Sequence, residues 1–495
     1  MTFQLYNNML NSTLLDILRT FDKDQIKKFG IFLISPYHNN NSNVIKLFNS
    51  LKTYSPEFIN AGLEREILWK ALFPGRDFHY GVMKNLIYEL QKLTEKFLSF
   101  EKYSSNEFEF EMNLLDALLD KKLITLFTKN AKNLKVQMLK SNIDLNYFYN
   151  KYILESRELN YLYLNKNAAN KPGSSTGNPN ESLLIFFFIN FFNSNYNSLH
   201  ESILYNNPYD TEYVNSVTGY FNISPVKKNK YASMFSSVID TLLNPNDESI
   251  YFGLKNLFGK NSGRLGKELR YNVLTALINF CNFQIMKGNT KFIKEQFTIY
   301  KMMIESGNYN NGKDNYINPY MYINIVSMAA NLRQYGWAEK FVERFKTKLE
   351  TPHLDQCFNF AMVSLNLKRK KFDTAMEYLS RLKSGDVIDK ITIRRFQLML
   401  YYESGYFDEL HSLIDSSRHF ITNDHKTSAR AKSIFKNFLY FVNKFTEVKG
   451  NLKNIKYDDF YLNNLKNQIN ERDVSNKIWL MEKFDELQNA KTKSR

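Results

Sequence analysis

Tyr335-Gly-Trp-Ala338, Phe372-Asp-Thr-Ala375 and Phe407-Asp-Glu-Leu410 are three versions of one short pattern. Its aromatic anchors stand 37 and then 35 residues apart. Each anchor has an apolar helical stretch before it and another after it, so the chain reads as a series of stacked helical hairpins. Outward from these anchors, helix pairs fall at about 268–304, 319–349, 353–384 and 388–420, and a long helix follows over Thr427 to Val448. In the first pair the pattern is weaker. Its anchor would be Phe292, with Glu295 in the small position, and the insert from Asn308 to Pro319 explains the longer spacing to Ala338.

The totals agree with helices. A chain of 495 residues that is 43% hydrophobic is long enough for two or three domains or for one continuous α-solenoid. Phe (41) and Tyr (32) are abundant while Gly (18) and Pro (10) are scarce, which favours long helices over turn-rich β structure. The expected fold class is therefore all-α. A formal charge of +16 would attract anionic partners. The excess is mainly Lys, and a chain rich in Lys, Asn, Ile, Phe and Tyr also reads as the product of AT-rich codons. Cys281 and Cys357 are far apart and form no CxxC pair, so neither a disulfide framework nor a zinc site is encoded and a reducing cytoplasm is expected. Met1 to Asn11 lacks the pattern of a secretion signal. The most apolar run, Leu183 to Phe192, has Asn190 inside it and reads as a buried core helix rather than a membrane span.

An N-terminal helical module is expected over 1–105. Asp22-Lys-Asp-Gln25 resembles a capping box, Ser42 is placed to cap the next helix, and a third helix covers Glu64 to Phe73. Pro74-Gly75 forces a turn into a long helix with Val82, Leu86, Leu90, Leu93 and Phe97 on one face. Helical hairpins follow over 106–165, then a flexible loop or linker at 166–181, rich in Pro, Gly, Ser and Asn. The solenoid occupies 182–450, clearest at 319–420, with a loose connector from Asn206 to Lys230. Capping helices and a basic tail fill 451–495, including a helix over Ser475 to Gln488 in which Trp479 covers the end of the stack.

At Tyr335 with Ala338 and Phe372 with Ala375 the chain resembles the tetratricopeptide repeat, and Ser404 to Leu410 keeps the glycine turn. The layout is also similar to uncharacterised bacterial helical-repeat proteins. The repeat resemblance implies hairpins whose second helix opens with an aromatic residue and carries a small one where the helices approach. On that pattern Leu410 is too large and should splay its hairpin. It further implies a concave groove, lined by first helices, that holds a peptide or partner helix. Asn324, Asn331, Asn359, Asn366 and Arg394 are the groove residues this would supply.

No motif carries catalysis. Gly259-Lys-Asn-Ser-Gly-Arg-Leu-Gly-Lys-Glu268 has the wrong glycine spacing for a phosphate loop and Glu where Ser or Thr must meet magnesium. The seven histidines show no zinc spacing, and paired acids such as Asp458 and Asp459 point apart on a helix. No cofactor, no metal and no enzymatic activity are expected. Two basic features stand out. Arg430, Lys432, Lys436 and Lys444 share one half of the Thr427–Val448 helix, and residues 426–495 hold fifteen Lys plus Arg against eight Asp plus Glu. The stretch from Glu64 to Phe100 faintly resembles a helix-turn-helix, in which Lys84, Asn85, Tyr88 and Lys92 would face a groove and Arg76 a phosphate, with Glu89 out of place. The sequence therefore favours a non-catalytic scaffold binding a protein or peptide, without a membrane partner. Nucleic-acid binding through the two basic features is the second reading.

Overall fold

The computed structural model describes residues 12–164, 178–310, 312, 315–383, 385, 387–451 and 457–493. All regular structure among them is helical, and two isolated bridges stand in place of any strand. The chain divides into two compact units, Met1–Leu134 and Lys135–Arg495.

The first unit contains α1 (Thr13–Leu18), α2 (Lys23–Ile34), α3 (Ser42–Lys52), α4 (Arg65–Leu72), α5 (Tyr80–Ser104), α6 (Glu107–Asp120) and the start of α7 (Ile124–Lys140). It thus extends past residue 105, and the division falls inside a continuous helix. The capping box opening α2 is present: Gln25 N donates to Asp22 Oδ1 (2.8 Å) while Asp22 N donates to Gln25 Oε1 (3.0 Å). The cap of α3 is Asn41 rather than Ser42, because Asn41 has the extended backbone and its side chain accepts from Asn43 N. In α5 the buried stripe begins at Met83, and Val82 lies on the exposed side. Phe21, Phe29, Phe48 and Phe97 form the ring-packed centre of this unit.

The second unit begins with the remainder of α7 and α8 (Tyr147–Leu164), and residues 165–177 of the expected linker lie outside the described residues. Pro179 to Glu181, expected in that linker, instead form the first turn of α9 (Pro179–Leu204), capped by Asn178. The expected connector likewise holds a helix, α10 (Thr211–Ile223). Asp210 caps it and Val214 and Phe221 supply its buried side. Next come α11 (Lys230–Leu243) and α12 (Glu248–Asn261).

Four hairpins follow, α13 (Lys267–Met286) with α14 (Lys291–Glu305), α15 (Pro319–Asn331) with α16 (Tyr335–Lys346), α17 (Thr351–Lys368) with α18 (Phe372–Ser380), and α19 (Val387–Ser404) with α20 (Phe407–Asn423). Three of the second helices start at the quoted anchors, and the turns show why. Arg333, Lys370 and Gly405, each two residues before an anchor, have φ of 58°, 60° and 78°. The next amide in each case reaches back five residues, from Gln334 to Ala329, Lys371 to Asn366 and Tyr406 to Tyr401, at 2.8–2.9 Å. This is the left-handed helix stop of the Schellman type. Gly288 (φ 94°) with Asn289 N donating to Gln284 O repeats it between α13 and α14. The anchor position there is consequently Thr290, and Phe292 is a core residue instead.

Successive hairpins pack on their neighbours, and α20 packs on α21 (Ala429–Gly450). Tyr335 Oη donates to Lys368 O (3.1 Å), so an anchor of one hairpin ties the next. Leu410 is fully buried in a core with Leu398, Leu400 and Phe445, so the larger side chain is accommodated as core volume. Truncation of Leu410 to Ala should then cost about 2–5 kcal/mol in chemical denaturation. A neutral or stabilising result would mean that the side chain strains its hairpin.

The chain closes with α22 (Asp459–Glu471) and α23 (Lys477–Lys493). Distant segments of the second unit also meet. Ser428 N donates to Leu204 O (3.1 Å), Asn206 N to Lys426 O (2.8 Å) and Ser428 Oγ to Ile203 O (2.7 Å). Contacts of this range are absent from a stack in which each repeat touches only its neighbours.

Candidate functional site

The basic residues singled out on α21 are largely engaged within the chain. Arg430 pairs with Asp473 (3.4 Å) and lies over the Phe283 ring, Lys432 Nζ donates to Asp424 O, and Lys444 pairs with Glu447 (2.7 Å). Lys436 is exposed. The pattern of apolar and basic halves is real, but Arg430 and Lys432 hold α21 to its surroundings and Lys444 is paired within the helix itself. On α5, Lys84 and Asn85 are exposed and Lys92 pairs with Glu95 (2.7 Å). Glu89 accepts from Asn41 (2.8 Å), and Arg76 is exposed while its carbonyl receives the Trp69 indole N–H.

The residues expected to line a groove do not share one character. Asn359 and Asn366 are buried, and Asn366 donates to Met362 O, one turn earlier in its own helix. Arg394 donates to Ser416 and Ser417 and lies over Phe420. Asn324 is exposed and Asn331 half-buried. The C-terminal ends of three first helices are instead met by α23. Lys368 pairs with Glu482, Lys287 O accepts from Lys477, and Glu403 receives both Trp479 Nε1 (2.8 Å) and Lys483 Nζ. Burial alone would lower the Lys483 ammonium, but its bonds to Glu486 and Glu403 hold it above its ordinary value. Lys477 donates to the carbonyls of Lys287, Asn470 and Arg472, and burial pushes it down to about 8.

A surface that sequence reasoning missed lies on α9 and α10. Leu183, Phe187 and Phe191 recur every fourth residue on α9, and Tyr213, Val217 and Tyr220 form a row on α10. The rows touch: Phe187 and Phe191 ring centroids are 5.6 Å apart, Phe191 and Tyr213 5.5 Å, and Phe188 and Tyr220 6.1 Å. Phe187 is 43% exposed, Tyr213 56%, Tyr220 55% and Ile223 83%. The all-round apolar run had implied complete burial. However, α9 packs chiefly on α8 and α11 and leaves a third side to water. The signal that could have found this face is charge. No residue from 178 to 223 is Lys or Arg in a chain of net charge +16, and Glu181, Asp210 and Glu212 flank the aromatic rows.

The glycine loop before α13 offers no phosphate cradle. Gly259 lies within α12, and Gly266 N already donates to Ile143 O (2.7 Å). Among the described residues no group of three or more His, Cys, Asp or Glu is placed to hold a metal, and no helix is long and apolar enough to cross a membrane. Burial pushes the Cys281 and Cys357 thiols up to about 12, the opposite of an activated nucleophile. Asp240 on α11 is likewise raised, to about 6, by burial against a weaker pull from Lys227. Its folded form binds its proton more tightly than the unfolded chain does. Its contribution is therefore fullest below pH 3.8 and is lost as pH rises through 6. Asp240→Asn should stabilise the protein by about 1–3 kcal/mol at pH 7, a gain that shrinks towards zero by pH 4 in denaturation curves at the two pH values.

With this geometry in view, comparison with known protein families, curated proteins and solved structures finds no match to the chain.

Proposed function

We propose that the chain is a non-catalytic helical-repeat scaffold, an α-solenoid of tetratricopeptide-like hairpins further tied by the contacts between residues 203–206 and 426–428, that binds a cytoplasmic protein partner through the aromatic face of α9 and α10. One observation carries this reading: exposed aromatic rings on two packed helices, α9 and α10, that themselves carry no Lys or Arg. Soluble monomers rarely leave such a patch open, and Tyr and Phe are the residues that anchor protein interfaces. The missing Lys and Arg disfavour a nucleic-acid backbone at this face. A partner segment with apolar anchors and basic residues at its edge complements it. The engagement of Arg430, Lys432 and Lys444 within the chain weakens the nucleic-acid alternative further.

A photo-crosslinking amino acid at Tyr220 tests this in the native cell. Capture of one distinct protein, lost when Tyr213 and Ile223 are replaced by Ser, is the expected result. Cross-linking only to nucleic acid, or only to a second copy of the chain, would overturn the reading. Those exposed substitutions should change stability by no more than about 0.5 kcal/mol each, as thermal denaturation will show.

A further inference from the structure

The outer side of α7 keeps its positive charge unneutralised. Residues 121–143 contain six Lys and no Asp or Glu. Phe127, Ala131 and Leu134 recur about one turn apart and bury the inner side of the helix, which turns Lys129 and Lys132 outwards. Lys121 and Lys122 are exposed in the turn that leads into α7, and Thr125 and Asn133 are exposed on the helix itself.

Of the six lysines, Lys135 alone forms an ion pair among the described residues, with Glu158 (3.1 Å). On α21 the arrangement is reversed, since Arg430, Lys432 and Lys444 are all engaged within the chain. Lys129 and Lys132 are neighbours on the helix surface, and like charges so placed repel. An anion laid along α7 relieves that repulsion.

The neighbouring side chains select the kind of anion. Leu126 and Leu139 are exposed but stand about 140° apart around the helix axis, so they make no continuous apolar seam. A partner helix or a lipid surface needs such a seam. A phosphate backbone needs only the cations.

We propose that the chain binds the phosphodiester backbone of a nucleic acid, without reading its bases, through Lys121, Lys122, Lys129 and Lys132. These residues belong to the first unit and include none of the aromatic face.

Fluorescence anisotropy of the full chain with labelled duplexes of about 20 base pairs, one DNA and one RNA, between about 50 and 200 mM salt, reads the number of phosphates neutralised. Binding that weakens linearly on logarithmic axes is expected, and the tighter duplex identifies the source of the backbone. Lys122→Gln/Lys129→Gln/Lys132→Gln should flatten that slope by about 2–3. Lys23→Gln/Lys27→Gln/Lys46→Gln removes the same charge from exposed positions on α2 and α3 of the same unit and should flatten it by less than about 1. All six changes lie on the surface, where folding tolerates them. Equal flattening by the two triple variants would mean that net charge alone attracts the duplex, and would overturn the proposal. Absence of binding at the lowest salt, or a slope that the α7 substitutions leave unchanged, overturns it equally.

Discussion

Trp479→Ala is expected to lower the unfolding free energy of the second unit by about 3–5 kcal/mol. The indole is buried among Tyr402 and Phe438 on α19 and α21, and its N–H donates to Glu403, so truncation loses ring packing and a hydrogen bond to a charged group together. Leu480, Phe484 and Leu487 on the same helix are equally buried. In urea titrations the loss should appear as a shift of midpoint. Glu482→Ala, which breaks only the more exposed pair with Lys368, should cost no more than about 1 kcal/mol. Equal effects of the two substitutions would mean that α23 lies on the surface and does not complete the core.

Lys483→Met should have a comparable effect for a different reason. Lys483 and Glu403 are both well shielded, and removing the ammonium leaves a charge inside with only the indole to answer it, a loss of about 3–5 kcal/mol. Adding Glu403→Gln should recover much of that loss, because the uncompensated charge is then gone. A double-mutant cycle reads the coupling directly. If the double variant is merely the sum of the singles, the pair is not the unit that matters.

Much of this architecture could be read before any coordinates. Anchors at Tyr335, Phe372 and Phe407 mark helix starts because they sit two residues beyond a left-handed stop, and Gly405 announced one of those stops openly. Arg333 and Lys370 take the same backbone without a glycine, so their turns were inferred from periodicity alone. Thr290 was missed for the converse reason. Gly288 gave the stop, but Phe292 was the more conspicuous aromatic.

Contacts between distant segments were not legible. Nothing in Leu204 or Ser428 says that their backbones meet, since backbone hydrogen bonds carry no side-chain signature. The basic half of α21 showed a true pattern, but the engagement of Arg430 was not legible, because Asp473 and Phe283 are far away in sequence. The aromatic face was hidden by its own composition. A helix apolar on every side is read as buried, and only the neighbours of α9 decide which side stays open.

Affinity capture from the native cell with the intact chain and with Tyr213→Ser/Tyr220→Ser/Ile223→Ser, each with and without nuclease, tests the central claim most directly. A specific protein that survives nuclease and disappears with the triple substitution is the predicted result. Recovery that depends on nucleic acid, or that ignores the substitution, would contradict it.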